Sequence, residues 1–154
     1  MNKKNRKIDE FWMQHAINLA YLGQSKGEVP VGAILVLKNK IIGQGFNTSI
    51  CQKDPTAHAE IVALRNGAKK INNYRLLNTT LYVTLEPCIM CCGAIINSRI
   101  NRLVFGSSNY RDNNNIFVKK NINFFFTKYK IIIKKNLLEK KCSKLIKKFF
   151  KIKR

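Results

Sequence analysis

Acidic side chains are scarce in this chain. Only 8 Asp and Glu stand against 29 Lys and Arg in 154 residues, a formal charge of +21. Such an imbalance points to a polyanionic partner, nucleic acid or an anionic membrane surface. Most of the excess is lysine and goes with heavy use of Asn, Ile and Phe. Those residues share AT-rich codons, so codon usage also feeds the charge. Long apolar runs are missing. Nothing approaches the roughly 18 consecutive apolar residues of a membrane span, so no membrane-embedded role is expected. The opening Met1 to Glu10 is polar and charged and lacks the apolar stretch of a signal peptide. The expectation is a soluble, cytoplasmic chain. Linkers and internal repeats are also missing, so 1–154 reads as one domain, long enough to bury a core without staples.

An even, dispersed set of cysteines is lacking too. There are five, and Cys88, Cys91 and Cys92 are clustered. That argues against a disulfide framework and for metal binding or redox chemistry.

The hydrophobic pattern predicts a first helix from Ile8 to about Gln24. A buried strand at Val29–Leu37 is followed by a hairpin partner at Ile41–Asn47. Cys51 to Pro55 reads as a loop, and Thr56 as the N-cap of a helix through His58, Glu60, Ile61 and Leu64. Thr80–Leu85 is a short strand. Pro87 opens a helix running to Asn97, and Arg102–Phe105 is another strand. Gly106 to Asn115 reads as a loop, and Ile116 to Phe126 is ambiguous. Tyr129–Ile133 reads as a last strand. Leu137 to Phe150 is an amphipathic helix whose apolar face carries Cys142, Leu145, Ile146, Phe149 and Phe150. The order α-β-β-α-β-α-β-β-α predicts a sheet with helices on both sides.

The chemistry gathers in His58-Ala59-Glu60 and Pro87-Cys88-Ile89-Met90-Cys91. Zinc takes imidazole nitrogen and thiolate sulfur, and a catalytic site keeps three protein ligands and one open position. Cys88 and Cys91, three apart at a helix start, share one face. The positive helix end favours their thiolates. Cys91 and Cys92 differ by about 100° around a helix, so ligation by both is not expected. Cys92 reads as a small buried residue, like Cys51 and Cys142, and His15 as a helix-face residue. The expected set is one zinc held by His58, Cys88 and Cys91. Glu60, two residues on, is then a proton shuttle off the metal. Each half alone is weak, but together H-x-E and P-C-x-x-C form the signature of zinc deaminases, in which an activated water attacks the ring carbon bearing the amino group.

Four stretches go further: Gly27-Glu28-Val29-Pro30-Val31-Gly32-Ala33, Asp54-Pro55-Thr56-Ala57-His58-Ala59-Glu60, Asn73-Tyr74-Arg75-Leu76 and Leu81-Tyr82-Val83-Thr84-Leu85-Glu86-Pro87-Cys88. On them the chain resembles the bacterial tRNA-specific adenosine deaminases from about Phe11 to Phe105, with a weaker match at the C-terminal helix. The resemblance implies a cytidine-deaminase-like three-layer α/β/α sandwich with a five-stranded mixed sheet. It implies a homodimer that binds a tRNA anticodon stem-loop and converts adenosine to inosine at the first anticodon position, usually in an arginine tRNA. By matching position, Asn47 would hydrogen-bond the flipped base, and Pro30, Val31 and Leu85 would line its pocket. Read without the resemblance, Asn47 is a turn residue and the other three are core. The ending Phe149-Phe150-Lys151-Ile152-Lys153-Arg154 resembles the family's aromatic-then-basic tail on the anticodon loop, with lysine where arginine is usual at some positions. Lysine binds phosphate as a point charge without the bidentate fork. Its other reading is a frayed basic terminus. Gly106-Ser107-Ser108-Asn109-Tyr110 departs from the family, which usually has aspartate where Asn109 stands. Asn109 remains a candidate contact to the substrate strand.

Two other functions fit the zinc signature. One is a free-base or nucleotide deaminase acting on guanine or cytosine, against which the basic charge and the tail argue. The other is a non-catalytic zinc-stabilised RNA-binding module, which has no need of Glu60.

Overall fold

A computed structural model describes residues 3–108, 124 and 126–152. The elements in chain order are α1 (Lys3–Ser25), β1 (Gly32–Leu37), β2 (Lys40–Phe46), α2 (Ser49–Gln52), α3 (Ala59–Ile71), β3 (Thr79–Leu85), α4 (Ile89–Asn97), β4 (Arg102–Ser107), β5 (Ile132–Lys134) and α5 (Glu139–Ile152). The strands form one five-stranded sheet in the order β2-β1-β3-β4-β5. β1 is antiparallel to both of its neighbours, whereas β3, β4 and β5 run parallel, so the sheet is mixed as expected.

Side chains alternate across the sheet with the period of two that a pleated strand imposes. Ile34, Val36, Tyr82 and Val104 face a cluster completed by Trp12, Met13, Ala16 and Ile17 of α1 and by Cys142 and Leu145 of α5. Ala33, Leu35, Leu81, Val83, Leu103 and Phe105 face a second cluster, with Ala59, Ala63 and Leu64 of α3 and Cys92 and Ile95 of α4. Helices thus cover both faces, giving three layers. Two glycines let them approach closely. A Cβ on Gly32 would collide with the Ala16 carbonyl of α1, and one on Gly43 with the Ala63 carbonyl of α3.

α1 begins at Lys3, inside the polar start that hydrophobic pattern alone leaves out of the helix. Its first turns carry an Arg6–Glu10 pair at 2.9 Å and a buried anchor, Asp9. The Asp9 carboxylate accepts from Tyr82 Oη at 2.7 Å, from both Arg102 guanidinium nitrogens at 2.8 Å, and from Lys134 Nζ at 2.7 Å. One side chain ties α1 to β3, β4 and β5. Burial by itself would raise its pKa; the Arg102, Lys134 and Tyr82 contacts outweigh that and hold it at about 2.

Several boundaries differ from expectation. The Cys51–Pro55 loop overlaps the short helix α2. The last strand runs Ile132–Lys134 rather than Tyr129–Ile133, because Tyr129 and Lys130 form a turn. Among the described residues no helix is long and apolar enough to cross a membrane.

Candidate functional site

Two helix starts converge on one point. His58 is the N-cap of α3 and Cys88 the N-cap of α4. Both are extended, and neither side chain makes a cap hydrogen bond. Instead they meet each other. His58 Nδ1 lies 3.6 Å from Cys88 Sγ and 3.5 Å from Cys91 Sγ. All three donor atoms fall within 4.8 Å of one another. A tetrahedral zinc with bonds of about 2.3 Å to sulfur and 2.05 Å to nitrogen requires N–S edges of about 3.5–3.6 Å. The donor triangle has those edges, so these residues fit zinc. Among the described residues three donors come together, the number a catalytic zinc centre would take from the protein. Cys92 is turned elsewhere. It is buried, and its thiol lies 3.6 Å from the Pro87 carbonyl.

The contact from the Cys91 thiol, with that from His58, holds Cys88 down at about 4, and the same Cys88 contact pushes Cys91 upward. Glu60, in the first turn of α3, is 4% exposed. Burial pushes its carboxyl up to about 7. It is outside the donor set but lines the same cleft. A carboxyl poised near neutrality and off the metal can both take and return a proton.

Asn47 follows β2 and is also buried. Its N–H donates to the Val31 carbonyl at 3.2 Å. Its Oδ1 accepts from the Ala59 N–H at 2.9 Å. Asn47 therefore caps α3 from outside, and its amide NH2 is the group left for the cleft that it lines.

That cleft has a volume of about 640 Å³. His58, Glu60 and Cys88 line it together with the apolar Val29, Val31 and Leu85. Val31 and Leu85 are where expected, but Pro30 is not a lining residue. In an extended segment Val29 and Val31 share a side and Pro30 points to the other. Phe150 and Lys151 of α5 also border the cleft, with Ser108 and Lys147. Phe149 does not. It is 7% exposed, with its ring edge-on to that of Phe150 at 5.4 Å, so the expected RNA contact falls on a buried side chain. Asn109, Lys153 and Arg154 lie outside the described residues.

One contributor was missed by sequence reasoning. Glu28, 1% exposed, accepts from the backbone N–H groups of Ile50 at 3.2 Å and Cys51 at 2.8 Å. It ties α2 to the segment carrying Val29 and Val31. The available signal was a carboxylate directly preceding a buried strand.

The sequence profile of the cytidine and deoxycytidylate deaminase zinc-binding region matches residues 6–107. The chain is 57% identical over 153 residues to a tRNA-specific adenosine deaminase of Buchnera aphidicola subsp. Schizaphis graminum, covering 99% of each. A solved structure from work on A-to-I editing by tRNA:A34 deaminases at the wobble position of transfer RNA superposes with a TM-score of 0.78. It shares 33% identity, over 88% of this chain and 98% of that one. A guanine deaminase of Bacillus subtilis superposes at 0.62 with 35% identity, over 70% of this chain and 66% of that one.

Proposed function

The chain belongs to the tRNA-specific adenosine deaminases, and we propose on that premise that it converts adenosine to inosine at the wobble position of an arginine tRNA, releasing ammonia. The observation that carries the reading is the His58–Cys88–Cys91 cluster, whose two nitrogen–sulfur distances are zinc-sized, set beside a buried Glu60 outside the donor set. When bound, zinc supplies a water acidic enough to serve as nucleophile at neutral pH. The chain's own residues do the rest. Glu60 takes a proton, returns it to the ring nitrogen beside the amino-bearing carbon, and assists the departure of ammonia. Water and adenosine go in; inosine and ammonia come out. Val29, Val31 and Leu85 supply apolar walls for a base taken out of its stack. The NH2 of Asn47 is the donor toward that base. Phe150 and Lys151 border the cleft where the anticodon loop arrives.

A homodimer is the assembly we infer. Ile50 and Ile89, at 62% and 65% exposure, leave apolar surface on α2 and α4, and Ile89 directly follows the ligand Cys88. The location we infer is the cytoplasm. The test compares an anticodon stem-loop with free adenosine, cytidine and guanine as substrates for the zinc-loaded protein. Conversion of the stem-loop alone is expected, whereas turnover of free guanine would move the chain to the free-base deaminases. Sequencing arginine tRNA from cells with and without the protein tests the choice of tRNA.

A further inference from the structure

Among the described residues that line the cleft, charge is unevenly arranged: the lysines, Lys147 and Lys151, both belong to α5, whereas the carboxylates, Glu60 and Glu86, come from α3 and from just after β3. A polyanion approaching this opening meets attraction on the α5 side and repulsion on the other. The two lysines are also the end of a longer row. Lys140, Lys144, Lys147 and Lys151 are spaced i, i+4, i+7 and i+11 and are all exposed. At 100° per residue they fall within about 60° of one another, in a stripe about 16 Å long. Lys141 and Lys148 lie about 80° round the helix from the middle of that stripe, on the side where Lys141 Nζ reaches Gln14 Oε1 of α1 at 3.2 Å. The apolar Cys142 and Leu145 lie between the helix and the sheet, and Phe149 is buried as well. α5 thus has a buried face, a flank turned toward α1, and a lysine stripe that ends at the cleft.

We propose that the stripe Lys140–Lys144–Lys147–Lys151 is a phosphate track that leads the RNA strand flanking the target adenosine into the cleft. Successive lysines are about one helical turn apart, so they can meet successive phosphates of a single strand. Lysine suits this role, since a compact ammonium binds phosphate without demanding a fixed approach. The proposal rests on the RNA reading above and adds to it the path of the strand. It also separates positional charge from bulk charge. Lysines accumulated through codon usage would act alike on either flank of α5.

The experiment removes equal charge from each flank. K144Q/K147Q and K141Q/K148Q are compared with the wild type as zinc-loaded proteins. The probe is an anticodon stem-loop that already carries inosine at the target position, so that nothing is consumed. Binding is measured over a range of salt concentrations. Each neutralised phosphate contributes about 0.7 to the slope of log affinity against log salt for single-stranded RNA. K144Q/K147Q should therefore lower the slope magnitude by about 1.4, and K141Q/K148Q by less than half as much. Equal losses from the two pairs, or no loss from K144Q/K147Q, would overturn the track. Deamination of the adenosine stem-loop by the wild type is followed separately. Tight binding without conversion would defeat the substrate reading and leave the slope comparison standing.

Discussion

Replacing Asp9 by asparagine tests the clamp that holds α1 on the sheet. Asparagine keeps the shape of the carboxyl and can still accept from Tyr82 and Arg102, so it imitates protonated Asp9. What it removes is the charge shared by Arg102 and Lys134, whose side chains are only 26% and 16% exposed. The fall in pKa from 3.8 to about 2, at about 1.36 kcal/mol per pH unit, is worth about 2–3 kcal/mol. The sign follows from linkage. A carboxyl whose folded-state pKa is depressed stabilises the fold fully above its unfolded value near 3.8, and that contribution is lost as pH falls through about 2. D9N should therefore be about 2–3 kcal/mol less stable at pH 7, and the gap should close between about pH 4 and pH 2. The assay is denaturant unfolding of both proteins across that range. Its readout is their difference, because acid acts on the zinc ligands in both. A gap below about 1 kcal/mol at pH 7, or one that stays constant down to pH 2, would refute the clamp.

The metal assignment predicts that Cys91→Ala loses zinc and activity while Cys92→Ala keeps zinc, measured as zinc per chain; the opposite pattern would exchange the two roles. Glu60→Ala should retain zinc and RNA binding yet lose turnover by at least about 10²–10⁴-fold, the usual contribution of a placed acid–base group. Near-wild-type turnover in that variant would remove Glu60 from the mechanism. Deleting the last four residues should weaken stem-loop binding and lower its salt slope by about 0.7–0.9 for each phosphate that the tail neutralises. An unchanged slope would make the tail a frayed terminus.

Local pattern carried most of the architecture. The β1–β2 hairpin, the central strand β3 and the two ligand-bearing helices follow from runs of two-fold and 3.6-fold periodicity, and the zinc ligands from residue type and spacing. What sequence reasoning missed depends on partners distant in the chain or on competition between neighbours. The start of α1 is polar because its anchor, Asp9, spends its charge on Tyr82, Arg102 and Lys134, which lie 73, 93 and 125 residues away. Thr56 has the side chain of an N-cap, but its hydroxyl and N–H both donate to Asp54 Oδ1, at 2.7 and 2.8 Å. That turn postpones the helix to Ala59. Phe149 carried two incompatible readings, apolar helix face and RNA-contacting tail. Burial favours the first, since Phe149 is 7% exposed and shares the i, i+3, i+7 spacing of the buried Cys142 and Leu145.

The capping of α3 shows how the fold frees its ligands. A helix start leaves N–H groups without partners, and the N-cap side chain ordinarily serves one of them. At α3 the N-cap is His58, whose ring is committed to the two sulfurs. The Ala59 N–H is served by Asn47 Oδ1 instead, across 12 residues of chain. Asn47 thus has a structural role through its oxygen and a proposed substrate role through its nitrogen, and the two can be separated. Asn47→Asp keeps an oxygen for the Ala59 N–H and adds negative charge at a helix N-terminus, which is favourable. Its fold and zinc content should match the wild type. The donor toward the base is gone, however, so stem-loop turnover should fall at least about tenfold, the scale of one missing hydrogen bond of about 1.4 kcal/mol. Asn47→Ala removes both functions and should lose about 1 kcal/mol of stability as well. If Asn47→Asp turned over the stem-loop like the wild type while Asn47→Ala was merely less stable, Asn47 would be a helix cap and nothing more.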